Sequence, residues 1–308
     1  MDGDRTSAAA RLPEVSRRRW PDELPDVFRG SAAVAQGVLT PGQLRNPRLA
    51  RVLHDVYRPA HVPLTHSLKC RAASLVAPTD ARLTGRSLAT VLGVPLLGPS
   101  DDVEMVGPAG AAGAGVRGIR LRAASRGPLG SATWQDVPIT TPERLAYDLA
   151  ARFDLETAVG HLDAVARAGL IDLDALAGWL LDRHDDDVCR VREACALADP
   201  RAESPPESVC RVRLVRAGLD VVPQHRVRDH RGVVARVDLA LLELRIAIEY
   251  EGAWHAAVAD QLHKDRQRLN RLREAGWLVV YVTAETLRER GALVDAVRRA
   301  IAQRMRPS

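Results

Sequence analysis

The sequence has no apolar run that approaches the roughly 18–20 residues needed to cross a lipid bilayer. Its amino terminus also lacks the apolar segment of a secretory signal peptide. Its four cysteines include no C-x-x-C pair and no accompanying histidine pair at metal-ligand spacing, which argues against a disulfide scaffold and a common structural zinc site. We therefore expect a cytoplasmic protein with reduced thiols and no membrane partner.

Lysine is almost absent, because only Lys69 and Lys264 occur among the 44 lysines and arginines. This preference for arginine, with abundant alanine, valine and leucine, is typical of a GC-rich coding sequence. The net charge of +5 and the pI of about 9.4 therefore indicate a polyanionic partner only weakly. With 308 residues, 46% of them hydrophobic, the chain is long enough for two domains with their own cores.

The N-terminal half predicts a short helix, a turn and a second helix. Residues 27–36 suit a helix that Gly37 closes. Thr40 then caps a second helix, with proline at the first helical position and Gln43 three residues after the cap, as in a capping box. An alternating stretch at 51–59 predicts a strand. Two helices followed by a strand indicate a winged helix-turn-helix.

A proline-rich segment at 200–206 separates two patterns. After it, the predicted order is helix, three strands in a meander, helix, strand and helix. We therefore expect an α/β (α+β) protein. Its four parts are a flexible basic tail at 1–24, a winged-helix unit at 25–150, a helical connector at 151–199 and a C-terminal α/β unit at 200–308.

The stretch "IEYEGAWH" at 248–255 reads as a strand with two carboxylates, although strands usually avoid glutamate. A hairpin that turns at Glu243 and Leu244 places Asp238 directly opposite Glu249, with an apolar stripe on the other face. Opposed Cβ atoms lie about 4.5–5.5 Å apart, so two like charges repel unless a cation lies between them. Hard oxygen ligands suit Mg²⁺ or Mn²⁺. A solvated sheet face whose carboxylates pair with arginines explains the same spacing.

Glu207 lies on the helix before this sheet, in an otherwise apolar stripe with Cys210 and Leu214. A carboxylate in such a stripe is expected to point toward the sheet and its acids. Ser204 lies three residues earlier, so Glu207 equally fits a capping box. The two roles are compatible, and both stay open.

Three further residues near the acidic strand carry possible chemistry. Glu251 extends the acidic face of the strand, and His255 follows closely enough for general acid–base catalysis or phosphate contact. Lys264 lies on the next predicted helix, where a solvated surface lysine is the simpler interpretation.

Two stretches, VDLALLELRIAIEYEGAWH at 237–255 and DQLHKDRQRLNRLREAGWLVVYVT at 260–283, resemble the DUF559 family. That family is similar to the very-short-patch mismatch repair endonucleases, within the PD-(D/E)xK nuclease superfamily. The likeness covers about residues 204–303. The positions that match its motif are Asp238, Glu249, Glu251, Gly252, His255, Asp265, Arg268, Gly276 and Trp277.

This resemblance implies a restriction-endonuclease-like fold with a divalent-metal nuclease core. Asp238 and Glu249 would hold Mg²⁺ or Mn²⁺, and Glu207 would assist them. Glu251 and His255 would complete the catalytic group. The chain departs from the superfamily at two places: a glutamate, Glu251, occupies the place of its lysine, and valine rather than proline precedes Asp238.

The segments GVLTPGQLR, RVLHDVYRP and LTGRSLATVLGV resemble the winged-helix domain of abortive-infection type IV antitoxins. The resemblance implies contact with double-stranded DNA, with the helix from residue 41 in the major groove. The candidate DNA contacts are Gln43, Arg45 and Arg48 in this unit and Lys264 and Arg268 in the C-terminal unit. A protein-interaction module with a solvated helix is the alternative.

Together these features predict a metal-dependent endonuclease-like protein that binds double-stranded DNA and hydrolyses its phosphodiesters. The alternative is a catalytically inactive transcriptional regulator or antitoxin-like binding protein, which the glutamate in place of the lysine favours. A toxin or a regulatory protein is a further possible partner. Dependence on a divalent metal separates the two functions.

Overall fold

The computed structural model describes residues 20–21, 23–108, 115–124, 129–252 and 259–306, with the backbone alone for 259–266. Most of the predicted basic tail therefore lies outside the described residues. The described chain is mixed α/β, with helices beside several small sheets, consistent with an α+β fold. None of the helices in these ranges is both long and apolar enough to cross a bilayer.

The secondary-structure elements are numbered in chain order. The strands are β1 Phe28–Arg29, β2 Leu49–Leu53, β3 Val56–Pro59, β4 Arg82–Leu83, β5 Val103–Gly107, β6 Ile119–Ala123, β7 Thr133–Trp134, β8 Val137–Pro138, β9 Val222–Asp229, β10 Gly232–Leu241, β11 Ile246–Glu251 and β12 Leu278–Thr283. The helices are α1 Gly30–Ala35, α2 His66–Ser74, α3 Gly85–Val91, α4 Pro142–Ala150, α5 Leu155–Arg167, α6 Leu173–Leu181, α7 Val188–Leu197, α8 Pro205–Arg216, α9 Ala259–Glu274, α10 Ala284–Arg288 and α11 Ala292–Met305.

The predicted second helix of the N-terminal unit is wrong. Thr40 and Gln43 do form reciprocal capping bonds: the Thr40 N–H donates to Gln43 Oε1 at 2.8 Å, and the Gln43 N–H donates to Thr40 Oγ1 at 3.2 Å. The cap leads only into a 3-10 helix at Gln43–Arg45. Asn46 precedes Pro47, where helical dihedrals are disfavoured, so the segment is too short to nucleate an α-helix.

The stretch predicted as one strand at 51–59 is part of a hairpin. β2 and β3 pair antiparallel, and the turn between them holds Asp55 at φ 59°. The Asp55 carboxylate accepts from the Ser31 N–H at 2.8 Å and from Arg29 Nε at 3.3 Å. These bonds attach the turn to the start of α1.

The segment from α2 to α7 shares one apolar core with the sheet of β4, β5 and β6. Thr141 caps α4, because its Oγ1 accepts from the Arg144 N–H at 3.3 Å. Gly169, with φ 70°, lies between α5 and α6. All four cysteines are free thiols, and three of them are buried.

Helix α8 joins the C-terminal unit to α5 through two ion pairs. Arg211 Nη2 lies 2.6 Å from Asp163 Oδ2, and both side chains are buried. The other Asp163 oxygen accepts from the Asp199 N–H at 2.6 Å. Further along α8, Arg213 donates to both oxygens of Glu156 at 2.8 Å. The first helix of the C-terminal unit is therefore fixed to the helical connector.

The C-terminal unit is a four-stranded sheet with helices on both faces. The strand order is β12-β11-β10-β9; β9, β10 and β11 are antiparallel neighbours, and β12 is parallel to β11. α8 and α11 pack on one face through Leu214 and Val297. Leu272 of α9 and Trp277 pack on the other. The predicted order of elements is confirmed, except that the last helix divides into α10 and α11 near Gly291.

Candidate active site on the C-terminal sheet

The predicted register of the acidic strands is confirmed. Leu239 lies opposite Ile248, Ala240 opposite Ala247, and Leu241 opposite Ile246. Asp238 and Glu249 lie one residue beyond the last pair of this ladder, so their predicted direct opposition is not among the observed pairs. The charge of Glu249 nevertheless acts on the Asp238 carboxyl, so the two acids lie close together.

The β10 strand changes its packing at Asp238. Val237 packs in the core under α9, whereas Leu239, two residues later, packs in the core under α8 and α11. In a regular strand these two side chains would share one face. The facing residue on β9, Gln224, has φ 54°, and the ladder pairs lie on either side of it. This irregularity places the Asp238 side chain at the boundary of the two cores.

Asp238 is held by the backbone of the next strand. The Tyr250 N–H donates to Asp238 Oδ2 at 2.9 Å. Burial is nevertheless the dominant influence and raises the pKa of Asp238 to about 6, and the charges of Glu207 and Glu249 act in the same direction. The carboxylate thus lies in a negative, partly desolvated environment.

Glu249 is buried, with 8% of its surface exposed, and it is paired with a cation from α9. Arg268 Nη1 donates to Glu249 Oε2 at 2.8 Å, and Arg268 Nη2 donates to Oε1 at 2.5 Å. The same Nη2 also donates to the Arg236 carbonyl at 3.1 Å. The sequence was also compatible with carboxylates that pair with arginines on a solvated sheet face. Glu249 does pair with an arginine, but its own side chain is buried rather than solvated. Bonding to Glu249 raises the pKa of the Arg268 guanidinium.

Glu207 combines the two roles that its spacing allowed. Ser204 Oγ accepts from the Glu207 N–H at 3.4 Å and donates to Glu207 Oε1 at 2.7 Å, which caps α8. Glu207 Oε2 accepts from the Glu203 N–H at 2.9 Å and from Gln224 Nε2 at 2.8 Å. The side chain therefore points toward the sheet, as expected, and fixes the residue that faces Asp238.

Two residues near the acids were missed by sequence reasoning. Tyr281 on β12 lies in register with Glu249, and burial followed by the Glu249 charge raises the pKa of its hydroxyl. Gln224 bonds Glu207. Neither residue belongs to a local sequence motif. The parallel pairing of β12 with β11 places Tyr281, and the irregular backbone of β9 places Gln224.

The remaining predicted residues are more scattered. Glu251 is exposed at the end of β11, in register with Thr283. His255 lies outside the described residues. Lys264 belongs to α9, where the structure describes only its backbone. The predicted contacts Gln43, Arg45 and Arg48 lie together on the 3-10 turn and just after it in the N-terminal unit.

Two of the three N-terminal candidates, Gln43 and Arg48, already have partners within the protein. Gln43 uses its side-chain oxygen in the cap of the turn. The Arg48 guanidinium lies over the Trp20 ring, 5.4 Å from its centroid. Arg45 is exposed. Any DNA contact here would come from a turn rather than from a helix seated in a groove.

The donor atoms of Asp238 and Glu249 match a hard divalent cation in type. Within the ranges described, no group of three or more histidine, cysteine, aspartate or glutamate side chains is placed to hold a metal ion. Both oxygens of Glu249 also accept from Arg268. The carboxylates fit Mg²⁺ or Mn²⁺ by chemistry, and the ion would share or exchange Glu249 with Arg268.

Comparison with known proteins gives distant relatives only. No protein-family model matches the chain, and no solved structure matches it. Two Mycobacterium tuberculosis proteins are similar, "Uncharacterized protein MT2308" of strain CDC 1551 / Oshkosh and "Uncharacterized protein Rv2248" of strain H37Rv. Each is 32% identical over 164 residues, which is 52% of this chain. The chain spans 60% of the length of these curated relatives.

Proposed function

We propose that the C-terminal unit is a restriction-endonuclease-like, metal-dependent nuclease that hydrolyses DNA phosphodiesters. The observation that carries the proposal is the placement of Asp238. It lies near Glu249 at an irregular point of the sheet, in an environment that raises its pKa to about 6. A desolvated carboxylate next to further acids is unfavourable for stability and typical of a functional site. The resemblance to the DUF559 family supports the same function.

The residues have distinct roles in this proposal. Asp238 and Glu249 would hold Mg²⁺ or Mn²⁺. When bound, the ion supplies charge for the phosphate oxygens and lowers the pKa of a water molecule. The Tyr250 N–H fixes Asp238 in position. Arg268 orients Glu249 by donating to both of its oxygens. Both effects prepare the carboxylates before substrate arrives.

Glu207 and the N-terminal unit act around this centre. Glu207 orients Gln224 opposite Asp238 and adds negative charge, so it is a positioning residue. Glu251 is exposed beside the strand end, where it is open to solvent and to substrate. The N-terminal unit, similar to an antitoxin winged-helix domain, would bring the chain to double-stranded DNA.

A DNA-binding regulator or antitoxin-like protein without catalysis is the second candidate. Two observations favour it. Glu251 occupies the place of the superfamily's lysine, and Arg268 occupies both oxygens of Glu249. Such a protein would recognise one DNA site without metal, and a toxin or regulatory protein would be its partner.

Nicking of supercoiled plasmid tests the choice between these functions. The full chain is incubated with plasmid in Mg²⁺, in Mn²⁺ or in EDTA, and DNA binding is followed in parallel by gel shift. A nuclease converts the plasmid to open circles with either metal and not in EDTA. Binding without nicking in all three conditions would reject catalysis and favour the regulator.

A further inference from the structure

Two arginines face each other on the edge strand β9 and its inner neighbour β10 in the C-terminal sheet. In the antiparallel ladder of β9 and β10, Arg226 lies directly opposite Arg236. Directly opposed side chains have Cβ atoms about 4.5–5.5 Å apart, and like charges at that distance destabilise a sheet. Arg228 follows on the same face of β9, about 6.5 Å further along the strand. Three cations are therefore held close together by backbone pairing.

This arginine face, defined as Arg226, Arg228 and Arg236, is open to solvent. All three residues are exposed, whereas the alternate residues Val227 and Val237 are buried under α9. The arginine side chains therefore lie on the face opposite α9. Since α8 and α11 pack chiefly over the inner part of the sheet, this outer part stays uncovered.

The cations of the arginine face are poorly neutralised. Within the described residues, Arg226 and Arg228 have no ion pair or side-chain hydrogen bond. Arg236 Nη2 lies 2.6 Å from Glu203 Oε2, but both side chains of that pair are about half exposed, at 47% and 45%. An exposed pair of this kind contributes little and is easily exchanged for another anion.

The arginine face adjoins Asp238 along β10. Arg236 lies two residues before Asp238, and the N–H of its partner Glu203 donates to Glu207, whose charge acts on Asp238. A row of regularly spaced phosphates satisfies such a row of cations, whereas one small anion reaches only part of it. Arginine is also well suited to phosphate, because its planar guanidinium donates two hydrogen bonds at once.

We infer that the arginine face binds the backbone phosphates of one strand of duplex DNA and guides that strand toward Asp238. The identity of the polyanion as DNA rests on the proposed function. The binding itself requires neither metal nor cleavage. It differs from the N-terminal contacts, because it lies on the unit that carries the acids.

Fluorescence anisotropy of a labelled duplex of about 20 base pairs tests this inference. The full chain is titrated in EDTA at several NaCl concentrations, as wild type and as the double variant Arg226→Gln/Arg228→Gln. The matched control is Arg298→Gln/Arg299→Gln, which removes the same charge from exposed positions on α11. We expect the first variant to bind roughly tenfold more weakly at low salt. The slope of log K against log salt should fall by about 1.8, because each phosphate that an arginine no longer neutralises lowers it by roughly 0.9.

The outcomes separate this inference from the proposed function. A control variant with affinity within about twofold of wild type, beside a weakened Arg226→Gln/Arg228→Gln variant, supports the arginine face even in a chain that never nicks plasmid. Equal affinity and equal salt slope for the two double variants would overturn it, and the arginines would then only protect the edge strand from pairing. Absence of duplex binding by wild type at low salt would overturn it as well.

Discussion

The Asp238 carboxylate accepts a 2.9 Å hydrogen bond from the Tyr250 N–H and yet has a pKa raised to about 6. Burial and the neighbouring charges of Glu207 and Glu249 outweigh the stabilising effect of that bond. The folded protein therefore holds an ionised aspartate at neutral pH against the preference of its surroundings.

This aspartate makes the stability of the protein depend on pH. The pKa of Asp238 is about 6 in the folded protein and about 3.8 in the unfolded chain. Its contribution to the free energy of unfolding is therefore fully present below about pH 4 and is lost as the pH rises through 6. The difference corresponds to at most ~3 kcal/mol, and we expect about 1–2 kcal/mol because the side chain is partly solvated. Asp238→Asn should therefore be more stable than wild type at pH 8 and equal to it at pH 4.

Urea unfolding in EDTA at pH 4, 6 and 8 measures this difference. Glu251→Gln is the control, because Glu251 is exposed at the end of the same acidic face. A constant difference between Asp238→Asn and wild type across the three pH values would show that Asp238 titrates normally in the fold.

Arg268→Gln should lower the free energy of unfolding, because it leaves the buried Glu249 carboxylate without its cation. The variant removes both guanidinium donors from Glu249, which is only 8% exposed in the wild type. We expect a loss of about 2–3 kcal/mol, below the full value for a buried pair, because the Arg268 side chain is 36% exposed. Addition of Mn²⁺ should then raise the melting temperature of the variant more than that of wild type, since Glu249 has become available.

Arg236→Gln provides the comparison for Arg268→Gln. It also removes an arginine from an ion pair with a glutamate, but the pair with Glu203 is half exposed and should contribute under about 1 kcal/mol. Equal responses of both variants to Mn²⁺ in a thermal-shift assay would argue against Glu249 as a metal ligand.

Arg211→Ala should destabilise the junction of α5 and α8. Asp163 would stay buried without its cation, and breaking such a pair costs about 3–5 kcal/mol. Arg120→Ala is the control, because the pair of Arg120 and Asp102 is half exposed at 3.7 Å and should contribute at most about 1 kcal/mol. Urea unfolding of both variants checks the prediction, and similar midpoints would contradict it.

Alanine substitutions at three glycines distinguish the effect of a steric clash on stability from the effect of backbone strain. Gly85 has φ 56°, and a Cβ there would lie 2.5 Å from Glu104 Oε2, so Gly85→Ala should cost about 2–4 kcal/mol. Gly169 has φ 70° but nothing within 4 Å, so alanine there should cost about 1–2 kcal/mol. Gly178→Ala, in open space within α6, should stabilise by roughly 0.5–1 kcal/mol. Any other order of melting temperatures would contradict the assignment of a clash to Gly85 and of strain alone to Gly169.

The C-terminal sheet follows the sequence closely because its signals are local. Alternating apolar residues on β10 and β11 fix the register, since a slip of one residue would turn every core side chain toward the other face. The same pattern could not reveal the change of face between Val237 and Leu239, which depends on the conformation of Gln224 in a neighbouring strand. Nor could the pattern show with which carboxylate Arg268 forms its ion pair.

The N-terminal unit shows where a correct local signal leads to a wrong element. Thr40 and Gln43 bond each other as a capping box does. A cap satisfies only the first N–H groups, and an α-helix needs several further turns to be stable. Pro47 prevents the segment from extending into these further turns. The capping bonds therefore form, but they lead only into a 3-10 helix.

The most direct measurement is the single-turnover rate of plasmid nicking in Mn²⁺ by wild type and by Asp238→Asn, purified in the same way. Duplex affinity in EDTA is measured for both as the control for folding and binding. If Asp238 belongs to a nuclease site, the variant should nick at least roughly 100- to 1,000-fold more slowly while binding DNA with similar affinity. Equal nicking rates for the two proteins would show that this carboxylate is not part of the chemistry.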